Sequence, residues 1–218
     1  METRTKVVGL GAGGHAKVVL DILSFYDEFR VVGLTNADPT TVGQQVLGVP
    51  ILGNDDVLPR LRVEGVSAAF VGVGSVGDYR LRRQLYILAC DLGFQMINVI
   101  HPQATVAQSV RMGQGMSIMA QAVINPDVVL GDNVIVNTGA QLDHDCQVGD
   151  HVHIAPGAHI SGGVRIDPCA HIGVGATIIQ GIHVGTGALV GAGTVVMRDV
   201  LPNVTVFGTP ARVIEKRD

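Results

Sequence analysis

The sequence predicts an α/β domain followed by a parallel β-solenoid of triangular section, and three observations carry that prediction. Residues 104–199 run as sixteen unbroken hexads, each with Val, Ile, Leu or Met in its third place. The first hundred residues alternate short apolar runs with segments of helical spacing. Gly is abundant, at 29 of 218 residues, and Trp is absent, which suits a chain made of bends better than one wrapped around large aromatic side chains.

In chain order, residues 6–10 read as a buried strand, followed by Gly11-Ala12-Gly13-Gly14 and a helix from about His15 to Leu23. Residues 31–34 form a second strand, and Asp55 or Asp56 can cap a short helix reaching Arg62. Residues 68–73 form a third strand. Asp78 can cap a helix whose apolar stripe is Leu81, Leu85, Leu88 and Leu92, with Gly93 as its stop signal. Residues 95–100 read as a fourth strand. Strands alternating with helices predict a parallel, Rossmann-like sheet.

The hexads begin just past His101-Pro102, which divides the chain into domains 1–102 and 103–218. Places one and three of a hexad point to the same side of an extended segment, and the remaining places are rich in Gly, Asn, Asp and Pro, which bend it. Three hexads close one coil, so residue n lies under residue n+18 at the ~4.8 Å strand spacing. The inward aliphatic places form a continuous core, which residues 200–218 can cover at its far end.

Net charge is −4 with no Lys/Arg cluster, which argues against a nucleic-acid partner. METRTKVVGL has no long apolar stretch, so neither a signal peptide nor a membrane span is expected, and the default location is the cytoplasm. Cys90, Cys146 and Cys169 form no CxxC pair. No two His stand five apart with a third upstream, so no metal site is expected. Gly9, Gly11 and Gly14 match GxGxxG between a strand and a helix, a place where backbone N–H groups hold phosphate. An NAD fold also needs an acid at the end of the second strand, and this strand ends at Thr35-Asn36 with Asp38 beyond. A sugar attached to a nucleoside diphosphate fits better than a dinucleotide, and a dehydrogenase is the weakest reading.

The hexad AQLDHD puts Asp143, His144 and Asp145 on a bend, and the eighteen-residue rule puts Gly162 over His144 and Gly163 over Asp145. A base of ordinary pKa near 6.5, a carboxylate to orient it and an amide donor for an oxyanion are the parts of an acyl-transfer site. His153 and His171, eighteen apart, should stack on one outer edge.

The segments GAGGHAKVV, VINPDVVLGDNVIVNTGA, LDHDCQVGDHVHIAPGAHISGGV and GTPARVI resemble the nucleotide-sugar acetyltransferases of the sialic-acid O-acetyltransferase type, which include bacillosamine and perosamine N-acetyltransferases. The resemblance covers nearly the whole chain. It implies a Rossmann-like α/β domain followed by a left-handed parallel β-helix, assembled as a homotrimer with the CoA site between neighbouring prisms. It implies His144 as general base, Asp145 as its orienting acid and Gly162 as the amide that meets the thioester carbonyl. His153, Val174 and Ala192 would contact acetyl-CoA. Gly13, Gly14, His15 and Gly74 would bind the nucleotide-linked amino sugar, with Thr35 and Asn36 where relatives often carry Asp. The implied reaction is direct N-acetylation; sugar O-acetylation and a non-catalytic nucleotide-sugar scaffold are the alternatives.

Overall fold

The computed structural model describes residues 4–217; the first three residues of METRTKVVGL and the final Asp218 lie outside them. The chain divides into two compact units. One runs to Gly74 and resumes over Arg80–Val99, and the other takes Ser75–Tyr79 and the chain from Ile100 onward.

The first unit is a six-stranded sheet of β1 (Thr5–Leu10), β2 (Phe29–Thr35), β3 (Gln45–Val46), β4 (Val49–Gly53), β5 (Ala68–Val71) and β6 (Gln95–Met96). Its order is β3-β4-β2-β1-β5-β6, and every pairing is parallel except β3 with β4. Val7, Val8 and Leu10 are fully buried, as expected for a central strand covered on both faces. Helices α1 (Gly14–Leu23), α2 (Leu58–Val63) and α3 (Arg80–Asp91) connect the strands.

Several local expectations are corrected. The turn before α2 is capped by Asn54, whose side chain accepts from Asp56 N, rather than by either aspartate. On α3 the buried face is Arg82, Leu85, Tyr86 and Ala89, and Leu81 is 54% exposed. Leu85, Leu88 and Leu92 do pack on the core as expected, and only Leu81 departs, its place taken by Arg82, which finds carbonyl partners inside the unit. Gly93 does end the helix, with φ +78°. Residues 95–100 do not form one strand: β6 ends at Met96, and the Val99–Ile100 strand opens a different sheet.

The second unit is a left-handed parallel β-helix with three flat faces. Each strand pairs with the one eighteen residues on: Ile135 with His153 and His171, Gln141 with His159, and Gln147 with Arg165. Third places from Ile118 to Val196 are all buried, whereas Met112 on the first coil is 38% exposed. The sixth place of the hexad bends the chain through the left-handed region, at Gly where a Gly is present and otherwise at residues such as Asp127, Asn133 and Asp145. At the far end Val204–Phe207 pairs with Leu189 and Val190, and Arg212–Lys216 adds an antiparallel strand. Among the described residues, no helix is long and apolar enough to cross a membrane.

Ile154 is fully buried in the middle coils. Ile154→Ala is expected to lower unfolding free energy by about 2–5 kcal/mol, since its neighbours on three faces cannot collapse into the gap. Met112→Ala, on the exposed first coil, is expected to cost much less. Denaturant unfolding of the two variants checks the contrast.

Candidate active site

The bend after Leu142 gathers the candidate acyl-transfer residues. Leu142 is fully buried, so the next residues leave the prism at a corner. The Asp143 carboxylate accepts from His144 N at 2.8 Å and from Asn125 Nδ2, one coil below, at 3.1 Å. These bonds tie down the backbone of the bend. The ring is held separately: His144 Nδ1 lies 2.7 Å from Asp145 Oδ2. Of the two flanking acids, Asp145 therefore orients the imidazole and Asp143 orients the chain.

With Nδ1–H donating to Asp145, Nε2 is left as the basic nitrogen. The Asp145 hydrogen bond, followed by the field of Asp143, raises the imidazole above its ordinary 6.5. The His144 side chain is 54% exposed, so reactants can reach it.

Gly162 sits directly over this ring. A Cβ there would lie 2.7 Å from His144 Nε2 and Cε1, so only hydrogen fits. The Gly162 carbonyl accepts from Gly181 N, and its own N–H makes no hydrogen bond among the described residues. A free amide beside a basic nitrogen can receive the negative charge of a tetrahedral intermediate. Gly163 N donates to His144 O at 2.9 Å, which locks the two coils in register. Cys146 points inward, its thiol donating to Ser161 O at 3.2 Å, and burial pushes that thiol up, away from nucleophile behaviour.

The remaining predicted acetyl-CoA residues do not join this corner within one chain. Val174 and Ala192 are exposed at the corner that follows the His153–His171 face, one prism edge away from His144. His153 is 5% exposed on that face, with Nδ1 2.8 Å from Ser75 O and Nε2 3.1 Å from Asn137 Nδ2. His153 and His171 do lie one above the other as the eighteen-residue spacing predicts, their rings edge to face at 80° with centroids 4.9 Å apart. The outer-edge position is corrected, since His153 is buried. The Ser75–Tyr79 segment, which the hexad pattern does not contain, supplies the covering carbonyl. Burial lowers the His171 pKa. Among the described residues no group of three His, Cys, Asp or Glu stands ready to hold a metal.

The first unit gathers its predicted residues along the C-terminal edge formed by the ends of its inner strands. Gly11 N donates to Thr35 O at 3.1 Å, which brings the glycine turn against the end of β2. Gly13 is the N-cap of α1 and offers no side-chain bond, and a Cβ on Gly13 or Gly14 would meet nothing within 4 Å. A side chain at either glycine would meet open space, so the start of α1 is uncrowded, as phosphate recognition requires. A Cβ on Gly74 would lie 3.9 Å from the His15 Cβ, so the third-strand glycine and the GGH turn share this edge.

Arg82 and Asn137 went unnoticed in the sequence. Arg82 is 1% exposed; its Nη1 donates to Val73 O at 2.7 Å and Val71 O at 3.1 Å, and lies 3.4 Å from His15 Nε2. Burial pulls this guanidinium down to about 9. Its one sequence signal was a basic residue beside an apolar stripe, which usually marks a solvated face.

Residues 6–87 match the PglD N-terminal domain, and residues 127–168 match the bacterial transferase hexapeptide repeat. PerB from Caulobacter crescentus, solved with CoA and GDP-perosamine, is 45% identical over 96% of this chain and 97% of its own, with a TM-score of 0.90. Two further structures, of mutants of the perosamine N-acetyltransferase of that organism, carry a histidine changed to Asn or Ala and also hold CoA and GDP-perosamine. The acetyltransferase domain of PglB from Neisseria gonorrhoeae, solved with acetyl coenzyme A, is 40% identical over 97% of this chain and all of its own, with a TM-score of 0.87. No curated protein sequence matches. With a glycine-rich strand-to-helix turn in one unit, a His–Asp pair under a glycine in the other, and relatives that align from end to end, the chain belongs to the hexapeptide-repeat nucleotide-sugar acetyltransferases.

Proposed function

We propose that this protein is an acetyl-CoA-dependent N-acetyltransferase acting on a nucleotide-linked amino sugar. The single observation that carries the reading is the His144 ring, hydrogen-bonded to Asp145 and lying against Gly162, whose N–H makes no hydrogen bond among the described residues. The corner would serve an amine or a hydroxyl acceptor alike. The perosamine N-acetyltransferase, similar over nearly its whole length, favours the amine.

In the proposed reaction the neutral sugar amine attacks the thioester carbonyl of acetyl-CoA, the acyl-donor substrate. A C–N bond forms, and the carbonyl electrons move onto oxygen, which accepts a hydrogen bond from the Gly162 N–H. His144 Nε2 takes the proton from the attacking nitrogen. Collapse of the intermediate breaks the C–S bond, and the imidazolium returns that proton to the departing CoA thiolate. The products are an acetamido sugar and free CoA, with no acyl-enzyme.

We assign residues 1–102 to nucleotide-sugar binding, with Gly13, Gly14, His15 and Gly74 at the diphosphate and sugar and Thr35 and Asn36 toward the nucleoside. Residues 103–218 carry the transfer, with His153, Val174 and Ala192 contacting acetyl-CoA. Because Val174 and Ala192 occupy a different corner from His144, a homotrimer fits best: one prism brings His144 and a neighbour brings the other corner to a shared CoA. The net charge of −4 and the lack of a basic cluster argue against a nucleic-acid partner.

The test is thiol release from acetyl-CoA against UDP-, GDP- and dTDP-linked amino sugars. Turnover with at least one is expected, and none with any would defeat the proposal. The pH profile provides a second check. The base acts only when neutral, so a raised pKa places the acid limb of kcat/KM above pH 6.5. Asp145→Asn removes the first cause of that shift and keeps a residue that tolerates the left-handed backbone, φ +60°, at this position. The acid limb is expected to move down toward 6.5, with a lower plateau because the ring tautomer is no longer held.

A further inference from the structure

Nucleotide-binding parallel sheets usually place a carboxylate at the C-terminal end of the second strand, where it accepts a hydrogen bond from the ribose 2′-hydroxyl. This chain has Thr35 and Asn36 there. Asp38, the next acid along, is exposed in the loop beyond and braced only by its own turn: its Oδ1 accepts from Thr40 N at 2.9 Å and from Thr40 Oγ1 at 2.7 Å, which lowers its pKa. Asn36 is also engaged, its amide donating to Thr41 Oγ1 at 3.1 Å.

The fold returns an acid to this place from another strand. β4 lies beside β2 with Thr35 opposite Gly53, and the chain turns immediately after it into a short 3-10 helix starting at Asp55. The Asp55 carboxylate thereby reaches Thr35, whose Oγ1 donates to Oδ1 at 2.5 Å. Thr35 is 1% exposed and Asp55 is half-buried, so the bond fixes the carboxylate against a buried anchor. Its other oxygen, Oδ2, makes no hydrogen bond among the described residues. Asn54 belongs to a separate network, bonding Asp56 through both side chain and backbone. The same Thr35 takes Gly11 N on its carbonyl, so the unengaged oxygen stands at the strand end that adjoins the glycine turn.

We infer that Asp55 is the ribose-recognising residue of this protein, its Oδ2 accepting from the nucleoside 2′-hydroxyl and its Oδ1 braced by Thr35. The inference rests on the reading of this unit as a nucleoside-diphosphate-sugar site and adds a specificity to it: ribonucleotides over 2′-deoxyribonucleotides, whatever the base. It also explains how the second strand can end in a neutral residue without losing the acceptor. A carboxylate at position 35 would repel Asp55, whereas Thr35 gives it a proton.

The experiment is calorimetric titration of the full-length protein with UDP, 2′-deoxy-UDP, GDP and 2′-deoxy-GDP. The unmodified protein is expected to bind the ribo form of its preferred base about tenfold or more tightly than the deoxy form, the usual worth of a hydrogen bond to a charged group. Asp55→Ala is expected to weaken the ribo form by a similar factor and leave the deoxy form unchanged, so that the preference disappears. Asp55→Asn can still accept from Thr35 through its amide oxygen. It is expected to keep the unfolding temperature and lose most of the preference, which separates recognition from folding. A ribo preference that persists in Asp55→Ala, or equal weakening of both forms, overturns the inference while leaving the nucleotide site standing. Binding of none of the four by the unmodified protein overturns the nucleotide-site reading itself, and this inference with it.

Discussion

His144→Ala is expected to lower kcat by about 10²–10⁴, the usual worth of a general base, while the protein stays folded. The two halves of that statement have separate physical grounds. The His144 side chain is 54% exposed and contributes nothing to the apolar core, so its removal opens no buried cavity. The bend itself is kept by backbone bonds that survive the substitution: His144 N to Asp143, Gly163 N to His144 O, and Asp145 N to Pro126 O. What disappears is the imidazole at this corner, and with it the proposed acceptor for the proton of the attacking amine. Thiol-release kinetics at saturating acetyl-CoA measure the loss, and thermal unfolding measures the retained fold. Near-normal turnover would remove His144 from the mechanism. A collapse of unfolding temperature would instead assign it a structural role.

The second large effect is expected at Gly162, and its neighbour provides the control. A Cβ on Gly162 would stand 2.7 Å from His144 Nε2, well inside contact distance, and the chain below is pinned. The ring must swing away, breaking its 2.7 Å bond to Asp145 or turning Nε2 from the acceptor. Misplacing a catalytic group by ~1 Å costs about 10²-fold, so Gly162→Ala is expected to lose about that much in kcat with little loss of stability. Gly163→Ala should do the reverse. Nothing lies within 4 Å of a Cβ there, but its φ of +66° is costly for an L side chain, by about 1–2 kcal/mol. A lower unfolding free energy with near-normal kcat is the expected result. If the two variants behave alike, the contact between Gly162 and the ring is not what Gly162 is for.

The catalytic corner was legible before any coordinates because a solenoid turns sequence distance into vertical distance. Eighteen residues is one coil, so Gly162 over His144 follows from counting, and the observed pairing of Gln141 with His159 repeats that interval. The choice between Asp143 and Asp145 did not follow. Both flank His144, and side-chain torsions decided that one holds the ring and the other the backbone. The first unit was less open to reading. The hairpin of β3 and β4 escaped notice because its turn is Leu47-Gly48, with Leu47 at φ +47°, rather than the Asn-Gly or Asp-Gly pair that announces such a turn. Missing β4 hid what it delivers, namely Asp55 at the end of β2. Arg82 was hidden for a related reason: periodicity assigned the helix face to Leu81, and only the carbonyls of Val71 and Val73 could draw a guanidinium inside.

By itself the sequence determined the solenoid and its register, since both rest on local periodicity: a hexad sets the coil, and the coil sets what lies above what. The reaction chemistry came from the motifs that resemble the acetyltransferases. Only the tertiary structure decided which acid serves which partner, that His153 is buried beneath Ser75, and that Val174 stands at a different corner from His144. Those outcomes depend on packing between segments far apart in the chain, where side-chain direction and burial are set by neighbours that no repeat length encodes.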